Sequence, residues 1–232
     1  MIKERIKIVI PGDDPPQIQD STHLERLKAY GDLTLYTDRP KDRMEKIARV
    51  IGAEIIMNTR SNITWGYNEF VKLPDLKMIT TCSIGIDNFD LSAAKKHNIF
   101  ICNQPGRTAP IVAEHIFGMM FAVAKRVTFL TADMKQGRWT RMDNIMLRGK
   151  KLGIVGTGAV GTEMARLGKA IGMNVVAWTY NPSTERARAL GITYKTLDEV
   201  LAESDVISIH VKLTEDSHHL IGSEQFNVMK KN

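Results

Sequence analysis

Between Lys151 and Gly172 the sequence reads KLGIVGTGAVGTEMARLGKAIG, and Gly156, Gly158 and Gly161 stand in it at the spacing G-x-G-x-x-G. An apolar run, Leu152, Ile154 and Val155, leads into the glycines, and Met164, Leu167 and Ile171 follow on one helical face. The pattern is strand, tight turn, helix. Gly156 allows the tight turn, Gly158 lets backbone approach a pyrophosphate with no Cβ in the way, and Gly161 lets the helix pack closely on the strand. Unpaired N–H groups at the helix start, with the positive end of the helix dipole behind them, bind phosphate charge. The residues therefore read as a dinucleotide-binding turn, a glycine-rich turn of some other α/β unit being the bland alternative.

The elements that must position this turn can be read in order. Strand patterns fall at residues 6–10, 33–36, 54–57, 78–80 and 99–102, with helical patterns near 22–30, 42–51, 67–73 and 91–96 between them. Strands alternating with helices imply a parallel sheet covered on both faces. Asn103, Gln104, Pro105 and Gly106 interrupt the pattern with turn formers, and an apolar helix begins near Thr108 with Pro110 in its first turn. Because this helix is apolar nearly all round, it is expected to be buried between layers. Trp139 sits on an exposed-looking arm suited to a subunit contact or to covering its own core. After the glycine turn come a strand at 174–178, helices to Leu190 and over 197–202, a strand at 205–211 and a helix from Ser223. The expected division is a domain at 1–103 and a second at 104–232.

Composition narrows the class. The 232 residues are 43% hydrophobic and 25% charged, as in ordinary globular proteins. A net charge of +6 suits an anionic ligand, but the 32 basic residues are scattered, which argues against nucleic acid. Cys82 and Cys102 form no disulfide framework or metal spacing and are expected to be buried reduced thiols, so the expected location is cytoplasmic. No metal site is expected. MIKERIKIVI reads as a first strand instead of a signal peptide, and no apolar run is long enough to span a membrane.

Four motifs in fixed order carry a resemblance: Ser83-Ile84-Gly85-Ile86-Asp87-Asn88; Asn103-Gln104-Pro105-Gly106 followed by Val112-Ala113-Glu114-His115; the glycine series; and Ser204 to His210 leading to Leu213-Thr214. With them, over about residues 76–230, the chain resembles the D-isomer-specific 2-hydroxyacid dehydrogenases. The resemblance implies an α/β protein with a flavodoxin-like N-terminal substrate domain followed by an incomplete Rossmann dinucleotide-binding domain. It implies NAD or NADP as cofactor, a small 2-keto or 2-hydroxy acid as substrate, the two meeting in an interdomain cleft, and a homodimer formed through the cofactor domain. By the same resemblance the N–H groups at Ile84 and Gly85 bind the substrate carboxylate, which suits a glycine turn with exposed amides. Arg60 either lines that cleft or is a solvated loop residue. Val112 contacts the nicotinamide or is only core, Ala159 and Val160 meet the pyrophosphate beside Gly156, Gly158 and Gly161, and His210 with Val211 lies beside the adenosine half.

Two departures follow. NAD-preferring folds carry Asp or Glu at the end of the second strand to hold the ribose 2′-OH; here that position is Thr179, with Arg186 and Arg188 in reach and Asn181 as an alternative ribose partner. This predicts relaxed cofactor choice or NADP preference. Lys212 replaces the proline often seen after the histidine. The family's catalytic Arg, His and Glu lie beyond Asn232 by resemblance, and no arginine follows Arg188, so no catalytic residue is assigned here. His115, read as lying within the buried helix, and the polar-segment His218 and His219 do not substitute. Two readings remain: a truncated oxidoreductase that turns over poorly or not at all, or a non-catalytic nucleotide-binding or scaffold protein retaining the first half of the cofactor domain.

Overall fold

The computed structural model describes residues 5–59, 63–106 and 108–231. It divides into two units, Met1–Gly106 and Arg107–Asn232, each built on its own parallel sheet. In the first unit the chain runs β1 (Ile6–Ile10), α1 (His23–Lys28), β2 (Gly31–Leu35), α2 (Arg43–Val50), β3 (Ile55–Asn58), α3 (Tyr67–Phe70), β4 (Met78–Thr81), α4 (Leu91–Lys96) and β5 (Phe100–Cys102). The strand order is β2-β1-β3-β4-β5, the flavodoxin-like order.

Helix-forming crossovers between parallel strands put apolar surface on both faces of such a sheet. Ile8, Val9 and Ile10 are accordingly buried in succession, and Val9, Val50, Ile56, Trp65, Phe70, Ile79 and Phe89 share one core. The helices begin where short acceptors allow it. Asp42 Oδ1 accepts from the Glu45 N–H at 2.8 Å and Asp90 Oδ1 from the Ala93 N–H at 2.9 Å, each satisfying an otherwise unpaired donor.

The second unit runs α5 (Ala109–Ala124), α6 (Val127–Lys135), β6 (Lys151–Val155), α7 (Ala159–Ala170), β7 (Asn174–Trp178), α8 (Thr184–Leu190), β8 (Thr193–Tyr194), α9 (Leu197–Glu203), β9 (Val206–Ile209) and α10 (Ser223–Val228). Its sheet is ordered β8-β7-β6-β9, corresponding to strands 3-2-1-4 of the doubly wound dinucleotide fold, with the reversal of direction at β6. The two-residue strand β8 is too short to leave an alternation pattern and went unread in the sequence. α7 lies on β6 and β7 through a core of Leu152, Ile154, Met164, Ala165, Val175 and Ala177.

Three expectations are corrected. α5 is not buried all round: Ala109, Ala113, Phe117 and Ala124 are buried, while Ile111, Val112, Met119, Phe121 and Val123 are exposed. The helix has one packed side, and its remaining apolar surface has no covering layer among the described residues. For the same reason His115 is exposed. Cys102 is also exposed, because it ends the edge strand β5, whereas Cys82 is half-buried and burial pushes its thiol up, away from the reactive thiolate.

Two outcomes follow. A Cβ on Gly161 would lie 2.0 Å from the Gly156 carbonyl oxygen, so Gly161→Ala must part α7 from β6 and is expected to lower unfolding stability by about 2 kcal/mol or more in urea titrations; an unchanged midpoint would refute this packing. Glu203 bonds Lys151 Nζ at 2.6 Å and also Lys195 Nζ, and these partners hold its carboxyl down at about 2. A depressed folded-state value means the contribution is complete above the ordinary value near 4.5 and is lost as pH falls toward about 2. Thermal unfolding of Glu203→Gln should therefore depend less steeply on pH in that window than unfolding of the unaltered chain.

Candidate functional site

The glycine turn is built by three strand ends. β6 delivers the chain to Gly156, which takes φ +98° and donates its N–H to the Trp178 carbonyl at the end of β7, 2.7 Å away. A Cβ there would meet the His210 carbonyl carbon and the Val211 nitrogen, each at 2.9 Å. The chain leaving β9 therefore lies directly against the turn, held by the His210 N–H donating to the Val155 carbonyl at 2.7 Å.

Gly158 caps α7 at its N-terminus, and where its Cβ would stand there is open space with nothing within 4 Å. Gly158 and Ala159 are exposed, and the N–H groups of Gly158, Ala159 and Val160 have no acceptor among the described residues. Three free donors at the start of a twelve-residue helix, beside a cradle that a side chain would fill, suit a pyrophosphate. This chain's residues thus fit a dinucleotide, and the sheet brings Gly156, Gly158, Ala159, Val160, Gly161, His210 and Val211 to one end.

The surroundings of the turn are also defined. His210 Nε2 and Ser208 Oγ are 2.8 Å apart, and burial holds the imidazole below its usual range, so it is neutral near pH 7. Thr179 follows β7 and lines a cavity of about 460 Å³ together with Trp178, Tyr194 and Lys195. Val112 lies on the first turn of α5, exposed, and no described hydrogen bond joins it to the glycine turn. Sequence reasoning missed Thr157 and Tyr194, whose hydroxyl oxygens lie 2.8 Å apart across 37 positions of chain. The position between two glycines marks Thr157 for scrutiny, but nothing in sequence pairs it with β8.

In the first unit Ser83, Ile84 and Gly85 follow β4. Their carbonyls are all engaged: Gln104 N–H donates to Ser83 O at 3.1 Å, Asn103 Nδ2 to Ile84 O at 2.7 Å and Ser83 Oγ to Gly85 O at 2.9 Å. The N–H groups of Ile84 and Gly85 have no acceptor among the described residues, and both residues are exposed. A turn whose acceptors are occupied and whose donors are free presents positive potential to an anion such as a carboxylate. Asn103, which fixes this turn, stands in the sequence as a turn former and motif residue with no role of its own assigned. Arg60 lies outside the described residues. Among the described residues no helix is long and apolar enough to cross a membrane.

Comparison with known proteins agrees with this geometry. Residues 117–232, half the chain, match the model of the D-isomer specific 2-hydroxyacid dehydrogenase NAD binding domain. A D-3-phosphoglycerate dehydrogenase of Archaeoglobus fulgidus is 40% identical over 158 residues, covering 67% of this chain and 30% of the relative. A hydroxypyruvate reductase of Thermotoga maritima is 36% identical over 192 residues, covering 82% and 61%. Among solved structures, a D-lactate dehydrogenase from Aquifex aeolicus complexed with NAD and lactic acid has a TM-score of 0.82 at 32% identity, covering 97% of this chain and 66% of that one. The chain thus spans between 30% and 61% of these two curated relatives. With its fold, its glycine turn and its family match in agreement, the chain belongs to the D-isomer specific 2-hydroxyacid dehydrogenase family and carries that family's NAD-binding domain.

Proposed function

We propose that this chain supplies the cofactor-binding and substrate-carboxylate-binding parts of an oxidoreductase that transfers a hydride between NAD(P)H and a small 2-keto or 2-hydroxy acid. The observation that carries the reading is the open cradle at Gly158 with three unpaired amides around it. The second unit takes the cofactor role, with Gly156 to Gly161 at the pyrophosphate and Thr179, His210 and Val211 around the adenosine half; Val112 is proposed for the nicotinamide side. The first unit takes the substrate role, with the Ile84 and Gly85 amides holding the carboxylate and Arg60 as a further cation. When bound, the nicotinamide supplies or accepts the hydride. The names of relatives, which include glyoxylate, hydroxypyruvate and D-3-phosphoglycerate enzymes, support a small acid as substrate.

Reduction of a keto acid also needs a cation to polarise the carbonyl and an acid to protonate the developing alkoxide. His210 does not fit the second role, since it is bonded to Ser208 and burial disfavours its protonated form. Turnover by these 232 residues alone is therefore proposed to be slow or absent. The exposed apolar side of α5 and the exposed Trp139 support a homodimer formed through the second unit.

The test separates binding from folding. Gly158→Val directs its Cβ into space the protein leaves empty, so the chain should stay folded at a cost of about 1–2 kcal/mol for the poorer N-cap, while NADH binding, followed by fluorescence titration, should be lost. Retained NADH affinity in the folded variant would overturn the site. Oxamate, a keto-acid mimic, should bind the unaltered chain; nucleotide binding with no oxamate binding would favour the scaffold reading. In sedimentation the chain should be dimeric, and a monomer at micromolar concentration would remove the dimer proposal.

A further inference from the structure

Resting on the dinucleotide reading of the glycine turn, we infer that Arg186, Thr157 and Tyr194 form a 2′-phosphate subsite, so that this chain prefers NADP(H) to NAD(H). Thr157 is buried, 2% exposed, between the first two glycines. Its Oγ1 accepts from Arg186 Nη1 at 3.1 Å and lies 2.8 Å from the Tyr194 hydroxyl. Arg186 comes from α8, which follows β7, and Tyr194 ends β8. Three separate segments thus meet beside the position that decides between a ribose hydroxyl and a ribose phosphate.

Counting donors decides which ligand this suits. Thr157 and Tyr194 bring two hydroxyl protons, and their mutual hydrogen bond uses one. The other has no acceptor besides this pair among the described contacts. Arg186 has five N–H donors, of which the side-chain contact to Thr157 engages one, and it makes no ion pair among the described residues. A half-buried guanidinium with no ion-pair partner among the described residues has donors to offer an anion, and a phosphate supplies several acceptors in the geometry that guanidinium matches.

An NAD ribose needs the opposite, a carboxylate to accept from its 2′-OH. Thr179 stands where that carboxylate would be. Among the residues lining the adjacent cavity Glu199 is the carboxylate present, and its Oε2 is engaged by the Thr196 N–H at 2.8 Å and the Thr196 hydroxyl at 2.7 Å, closing the cap of α9. Lys195, on the same wall, is paired with Glu203, whereas Arg186 keeps unused donors beside Thr157.

The experiment compares adenosine 2′,5′-bisphosphate with 5′-AMP by calorimetry on the 232-residue chain, since these fragments differ only in the 2′-phosphate. The bisphosphate should bind at least about tenfold more tightly. Arg186→Ala should remove most of that ratio with AMP affinity changed less than about twofold, Arg186→Lys should keep part of it, and Tyr194→Phe should lose a smaller part. Equal affinities, a preference for AMP, or Arg186→Ala weakening both fragments in proportion would overturn the subsite. NADH and NADPH are titrated alongside: binding of NADH with no 2′-phosphate preference defeats this inference alone, whereas failure of every nucleotide to bind defeats the dinucleotide reading beneath it.

Discussion

The second unit depends on one backbone contact, the seating of Gly161 against the Gly156 carbonyl, where a Cβ would come within 2.0 Å. That approach brings the start of α7 down onto the end of β6, and with it the free amides of Gly158, Ala159 and Val160. The order β8-β7-β6-β9 then sets β7 and β9 on either side of the turn. Each neighbour brings further residues to the turn: β7 leads to Thr179 and α8, β9 leads to His210. The proposed phosphate site uses geometry the backbone must adopt anyway, because the first turn of a helix has donors with no partner.

The first unit shows the same logic without a long helix. Its turn after β4 has carbonyls tied down by Asn103, Gln104 and Ser83, which leaves only donors facing outward. Both units thus present amides without acceptors among the described residues at the carboxyl ends of parallel strands, where open α/β sheets place ligands.

Much of this was legible in the sequence because parallel strands and glycine turns impose local rules. β1 and β7 fall where their apolar runs lie, and Gly156 makes the tight turn and Gly161 the close helix–strand contact that their spacing implies. What was not legible depends on long-range partners. The Thr157–Tyr194 bond spans 37 positions and needs β8 to align beside β7. The exposure of α5 shows the opposite limit: an apolar helix signals that it wants burial, but not whether one chain provides it. Cys102 misled for a related reason, since an apolar strand reads alike at the centre and at the edge of a sheet.

The central claim is that free amides at the start of α7 bind the cofactor. Backbone amide resonances of the isotope-labelled chain, followed by NMR as NADH is added, test it most directly. Saturable shifts concentrated at Gly158, Ala159 and Val160, accompanied by Thr179 and His210, are expected. Saturable NADH binding that leaves those three amides unmoved would contradict it.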